Sequence, residues 1–80
     1  MRIEARLEKH GGRMVPIIFF PDDVETDKAI SCYTFHEGHG AAERAYMRQC
    51  KKPATPDEYA LIFAALARYF SESARYAAKR

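Results

Sequence analysis

Four side chains of the kind that binds zinc lie in the middle of the chain: Cys32, His36, His39 and Cys50. Structural zinc sites use four sulfur or nitrogen ligands in a tetrahedral arrangement. Cys32 and His36 are four residues apart, so on a strand both would point to the same face. The spacing C-x3-H-x2-H-x10-C lacks the paired C-x2-C of a standard zinc finger. A zinc-stabilised domain is therefore one hypothesis, and two small buried cysteines beside loop histidines are the plainer interpretation.

The same residues contain the elements of a cysteine nucleophile. Such a nucleophile needs a basic histidine within hydrogen-bond reach and a third group that orients this histidine. A chain of 80 residues has little room for both a core and a substrate cleft. No glycine-rich phosphate loop follows a predicted strand. We therefore expect no catalytic residues, no enzymatic activity and no resident cofactor apart from the zinc alternative.

Basic side chains form a row along the first predicted helix, where they could contact nucleic-acid phosphates. The row consists of Arg44, Arg48, Lys51 and Lys52. The chain as a whole provides little attraction, because 13 Lys and Arg against 11 Asp and Glu leave a net charge of +2. Acidic residues at 22, 23, 25 and 27 would repel a polyanion. Nucleic-acid binding is thus an alternative that the charge balance does not favour.

The first third of the sequence predicts strands. Ile3, Ala5 and Leu7 alternate with charged residues, a period of two that is typical of a half-buried strand. Gly11 and Gly12 supply the turn of a hairpin. Residues 14–20 are apolar on both faces, and residues 29–36 return to strand character after an acidic connection at 21–28. These segments predict a three-stranded antiparallel meander.

The second half predicts two helices. Residues 41–51 show a helical period, and Pro53 ends that helix. Thr55, Pro56 and Glu58 then match an N-cap, a first helical residue and a capping box. The predicted core stripe of the second helix consists of Tyr59, Ile62, Phe63, Leu66 and Phe70. The expected fold is a single α+β domain over residues 1–80, with order β-β-β-α-α and both helices packed on one face.

Two surfaces of this expected fold lack cover. The second strand is apolar on both faces, whereas two helices on one side cover only one of them. The second helix is uncharged from Tyr59 through Ala67, and a helix that is apolar all round is normally buried. The basic tail at 71–80 has little to bury, and we expect it to fray.

These two surfaces predict protein–protein association, most simply as a two-fold homodimer. The alternative is that the tail or the connection at 21–28 folds back over them within one chain. The expected contact residues on the helix are Leu61, Ala64, Ala65 and Arg68, and those on the strand are Ile18 with Phe20 or else Ile17 with Phe19. The sequence contains neither a signal peptide nor an apolar run long enough for a bilayer. Two cysteines do not form a disulfide scaffold. We therefore expect a cytoplasmic protein without a membrane partner.

Overall fold

The computed structural model describes residues 2–78, with side chains described as far as residue 74. Its centre is a four-stranded antiparallel sheet whose spatial order follows the chain, followed by two helices. The strands are β1 (Glu4–His10), β2 (Arg13–Val24), β3 (Ala29–Thr34) and β4 (Gly38–Glu43). The helices are α1 (Arg44–Gln49) and α2 (Pro56–Ala78). The prediction of an α+β fold with an antiparallel meander is confirmed, although the sheet has one strand more than expected.

The additional strand is β4, which occupies the first part of the segment predicted to be a helix. Thr34 of β3 pairs with Gly38, Cys32 with Gly40 and Ile30 with Ala42. Without β4, the outer backbone groups of β3 would have no strand partner close to the buried core. Local helical periodicity over 41–51 was therefore overridden by the hydrogen-bonding needs of β3, and only six residues remain helical in α1.

The first two hairpin turns follow local chemistry. Gly11 and Gly12 have φ angles of 57° and 79°, and His10 pairs directly with Arg13, so the predicted two-residue turn is confirmed. The acidic connection is shorter than predicted, because β2 continues through a register shift to Val24. The amides of Lys28 and Ala29 both donate to Thr26 Oγ1 and close the second turn.

The two helices cover opposite faces of the sheet, which corrects the expectation that both lie on one face. Met47 of α1 packs against a cluster that includes Phe19 and Cys32. On the other side, Ala65 of α2 packs in a cluster that includes Phe20 and Tyr33. Since neighbouring residues of a strand point to opposite faces, β2 is enclosed from both sides. The chain itself thus covers both faces of β2, and of the two surfaces expected to lack cover only that of α2 remains exposed.

The chain passes from one face to the other around the outer edge of β1. Leu7 N donates to Lys51 O over 2.8 Å, and Lys51 N donates to Leu7 O over 2.9 Å. This short bridge follows α1 directly and occupies part of the otherwise unpaired edge of β1. It fixes the point at which the chain leaves one face and starts α2 on the other.

The predicted start of α2 is confirmed. Pro56 is the first helical residue, Glu58 N donates to Thr55 Oγ1, and Thr55 N donates to Glu58 Oε1. The helix continues through Ala78, so most of the predicted fraying tail is helical in its backbone, and residues 79–80 lie outside the described part. None of the described helices is both long enough and apolar enough to cross a membrane.

The carboxylate of Glu58 makes the stability of this cap depend on pH. Lys51 Nζ lies 2.5 Å from Glu58 Oε2, and this hydrogen bond, with donors from the backbone of Ala54 and Thr55, lowers the pKa of Glu58 from 4.5 to about 2. A lowered pKa in the folded state means that the stabilisation is complete above pH 4.5 and is lost as the pH falls toward 2. We expect Glu58→Gln to be less stable than wild type at pH 6 in urea unfolding, with the difference shrinking at low pH. A difference that stays constant across this range would contradict the assignment.

Candidate functional site

One side of α2 exposes three aromatic rings in a row. The exposed fractions are 45% for Tyr59, 63% for Phe63 and 53% for Phe70. Steps of four and seven residues place these side chains on the same side of a helix. Exposed alanines lie beside the rings, and no charged residue interrupts α2 from Tyr59 through Ala67. We name this surface the aromatic face and define it by the side chains of Tyr59, Ala60, Phe63, Ala64, Ala67 and Phe70.

The rotation of α2 about its axis is what exposes the aromatic face. The helix buries Ile62 and Ala65 and half-buries Leu66 and Tyr69, which leaves the predicted core residues Tyr59, Phe63 and Phe70 outside. The ring of Tyr69 packs 5.1 Å from that of Phe20 and 5.4 Å from that of Tyr33. Because large rings already fill the sheet surface, the small side chain of Ala65 lets the helix approach it closely. The predicted core stripe is therefore confirmed for Ile62 and Leu66 and wrong for the three exposed rings.

A cluster of polar side chains on the opposite flank of α2 fixes the orientation of the helix about its axis. Tyr33 Oη donates to Glu72 Oε2 over 2.9 Å, and Arg68 Nε donates to Glu72 Oε1 over 3.1 Å. The Arg68 guanidinium also lies 5.2 Å from the centre of the Phe35 ring. The hydrogen bond from Arg68 lowers the pKa of Glu72, whereas burial raises the pKa of Tyr33. These contacts orient one flank of α2 toward β3, so the aromatic row lies on the other flank.

The predicted contact residues divide into core and surface. Ile18, Phe20 and Ala65 are 0%, 4% and 1% exposed and form part of the core beneath α2. The alternative strand pair, Ile17 and Phe19, is buried on the α1 side. Leu61, Ala64 and Arg68 are exposed, but Arg68 forms an ion pair with Glu72. The strand half of the predicted interface is thus wrong, because each helix covers a different face of β2.

The four predicted zinc ligands do not come together as one site, although Cys32 and His36 border the same cavity. Cys32 and Cys50 are both buried in the cluster under α1. His39 lies on the opposite face, where its ring centre is 5.2 Å from that of Tyr33, while His36 stacks on His10 at 4.2 Å. Within the described residues, no group of three or more histidine, cysteine and acidic side chains has a metal-binding arrangement. The strand pairing of Tyr33 with His39 explains the separation, since it directs His39 away from Cys32.

The two thiols are also poor nucleophiles in these positions. Burial, with a smaller contribution from Glu8, raises the pKa of Cys32 above its ordinary value. Burial likewise raises the pKa of Cys50. A thiol with a raised pKa is protonated at neutral pH and does not attack as a thiolate. The cysteines fill space in the core, as the plainer interpretation of the sequence has it.

The predicted basic row is interrupted by internal contacts. An Arg44 guanidinium nitrogen donates to the carbonyl of Pro21 over 3.0 Å, and Lys51 is engaged by Glu58. Arg48 and Lys52 are exposed and have no ion-pair partner among the side chains described. Two free cations provide fewer phosphate contacts than the continuous row that the sequence suggested. The nucleic-acid alternative has no support from this arrangement.

Comparisons of the chain with protein-family models, with curated proteins and with solved structures each found no match. The functional argument therefore rests on the geometry of the aromatic face and of the surfaces around it.

Proposed function

We propose that this protein acts by associating with a second copy of itself through the aromatic face. The observation that carries the proposal is the row of Tyr59, Phe63 and Phe70, each about half exposed or more, on a helix segment without charge. Single exposed apolar residues are ordinary on protein surfaces, whereas a continuous group of three rings and flanking alanines is typical of an interaction site.

The size of the aromatic face predicts a weak association. An aromatic side chain presents roughly 150–250 Å² in full, so three half-exposed rings contribute about 300 Å². The largest apolar patch on a monomer is typically about 300–600 Å² and is often functional. A stable interface of standard size, however, buries about 800 Å² on each partner. The dissociation constant of the dimer should therefore lie in the micromolar range or above, so that the dimer dissociates on dilution.

The apolar character of the aromatic face favours a second copy as the partner. An antiparallel pair of α2 helices related by a two-fold axis would bring the aromatic row of one copy against that of the other. The same arrangement sets the two helix dipoles in opposite directions, which is favourable. The aromatic face is thus complementary to itself in apolar character.

Sedimentation velocity of the untagged protein, purified without added metal, tests this proposal. We expect the weight-average mass to rise with concentration from the 9.2 kDa of one chain toward twice that value. Because the contact is mainly apolar, added salt should change the equilibrium little. A mass of 9.2 kDa at every concentration up to several hundred micromolar would contradict the proposal. Steeply salt-dependent binding of an oligonucleotide by the monomer would favour the nucleic-acid alternative instead.

A further inference from the structure

A cavity of about 510 Å³ opens at one end of the sheet, separate from the aromatic face. It lies where the β1–β2 hairpin, the turn after β3 and the first half of α2 meet. Most of its lining is apolar and includes Met14, Pro16, Phe35 and Leu61. Cavities of this volume and character are typical of sites for small molecules.

The polar part of the lining carries only positive or neutral groups. Arg13, His10 and His36 line the cavity, and none of its lining residues is acidic. The two imidazole rings stack with their centres 4.2 Å apart and an angle of 24° between them. Within the described residues, the Arg13 guanidinium has no carboxylate partner. An arginine of this kind suits a carboxylate, which it can bind through two parallel hydrogen bonds.

The backbone beside Arg13 is also open on one side. β1 pairs with β2 from Arg13 through Phe19, whereas β3 pairs with β2 only from Ile17 onward. Residues 13–16 therefore have a strand partner on one side alone, at the point where they border the cavity. Pro16 has no N–H to donate, which is why a proline is tolerated at this open edge.

We propose that this cavity binds a small apolar carboxylate. The carboxylate would accept hydrogen bonds from Arg13, and the apolar body would lie between Phe35 and Leu61. Leu61 and Arg68 mark the flank of α2 that faces β3, opposite the aromatic row, so self-association leaves the cavity open. The proposal goes beyond the association function and does not depend on it.

Titration of the ¹⁵N-labelled protein with 3-phenylpropionate, followed by NMR, tests the site. We expect saturable shifts of the amides of Arg13, Met14, Phe35 and His36. The neutral probe 3-phenylpropionamide should bind about tenfold to a hundredfold more weakly, because it lacks the charge that pairs with Arg13. Equal affinity for the two probes would overturn the proposal, as would the absence of a saturable shift at these amides up to about 10 mM probe.

Three variants distinguish binding by Arg13 from attraction by the general charge of the hairpin and from binding at the aromatic face. Arg13→Gln should abolish the preference for the carboxylate over the amide. Lys9→Gln removes an exposed cation of the same hairpin that does not line the cavity, and it should keep the preference. Phe63→Glu, which changes the aromatic face, should bind the carboxylate as wild type does. A preference that survives Arg13→Gln, or that is lost in Lys9→Gln, would overturn the assignment of Arg13.

Discussion

Replacing Phe63 by glutamate is expected to keep the protein monomeric at concentrations where the wild type associates, without unfolding it. Phe63 is the most exposed of the three rings, at 63%, so the glutamate side chain is accommodated in solvent in the monomer. In the dimer, a carboxylate would be buried in an apolar contact without a partner. Replacing a central aromatic contact residue typically costs about 2 kcal/mol or more of binding free energy, which raises the dissociation constant of the dimer roughly thirtyfold. Sedimentation velocity measures this loss, and circular dichroism verifies the fold.

Val24→Glu is the matched control for this variant. Val24 is a large exposed hydrophobic residue at the end of β2, outside the aromatic face, so the same gain of charge should leave self-association unchanged. Leu61→Glu adds a second comparison, because Leu61 lies on the flank that borders the cavity. If Leu61→Glu dissociates the dimer and Phe63→Glu does not, the contact lies on the β3 side of α2 and the aromatic face is wrongly assigned.

Replacing a buried phenylalanine of β2 by alanine should strongly destabilise the protein, whichever face of the strand the ring lies on. Phe19 is fully buried in the α1-side cluster and Phe20 is 4% exposed in the α2-side cluster. Removing a buried phenylalanine ring typically costs about 3–5 kcal/mol, from lost burial and from the cavity that remains. The total free energy of unfolding of a small domain is only about 5–15 kcal/mol. We therefore expect Phe19→Ala and Phe20→Ala each to lower the urea midpoint severely or to abolish folding.

The two truncations also distinguish a core strand from an interface strand. If Phe20 belonged to a dimer contact, Phe20→Ala would dissociate the protein and leave the monomer as stable as before. Val24→Ala, in the same strand but 57% exposed, should change the free energy of unfolding by less than about 0.5 kcal/mol. A Phe20→Ala effect as small as that of Val24→Ala would contradict the enclosed position of β2.

Several local features were predictable because they depend on residues close in sequence. The alternation around Ile3, Ala5 and Leu7 indicated a strand, and Glu4–His10 do form β1 and pair with β2. Gly11 and Gly12 adopt the positive φ angles that a two-residue hairpin requires. The capping box of Thr55 and Glu58 forms with both reciprocal hydrogen bonds. Each of these features depends on residues that are close in sequence and depends little on tertiary contacts.

The candidate sites were less predictable, because they depend on contacts between distant residues. The rotation of α2 is held by Tyr33, Glu72 and Arg68, and the first of these lies 39 residues from the second. An apolar stripe of similar width could be drawn on either side of α2, so periodicity alone could not decide which rings face the sheet. The cavity beside the first hairpin joins Arg13 to Phe35 and Leu61, and no spacing in the sequence brings these residues together.

The amino-acid sequence by itself determined the α+β class, the first hairpin, the start of α2 and the apolar character of β2 on both faces. Tertiary structure alone decided that residues 38–43 form β4, because β3 needed a hydrogen-bonded neighbour along that edge. It also decided that α1 and α2 lie on opposite faces, because the Lys51–Leu7 bridge carries the chain around β1. Strand pairing and helix rotation join residues far apart in the chain, and these contacts determine which apolar side chains become core and which remain exposed.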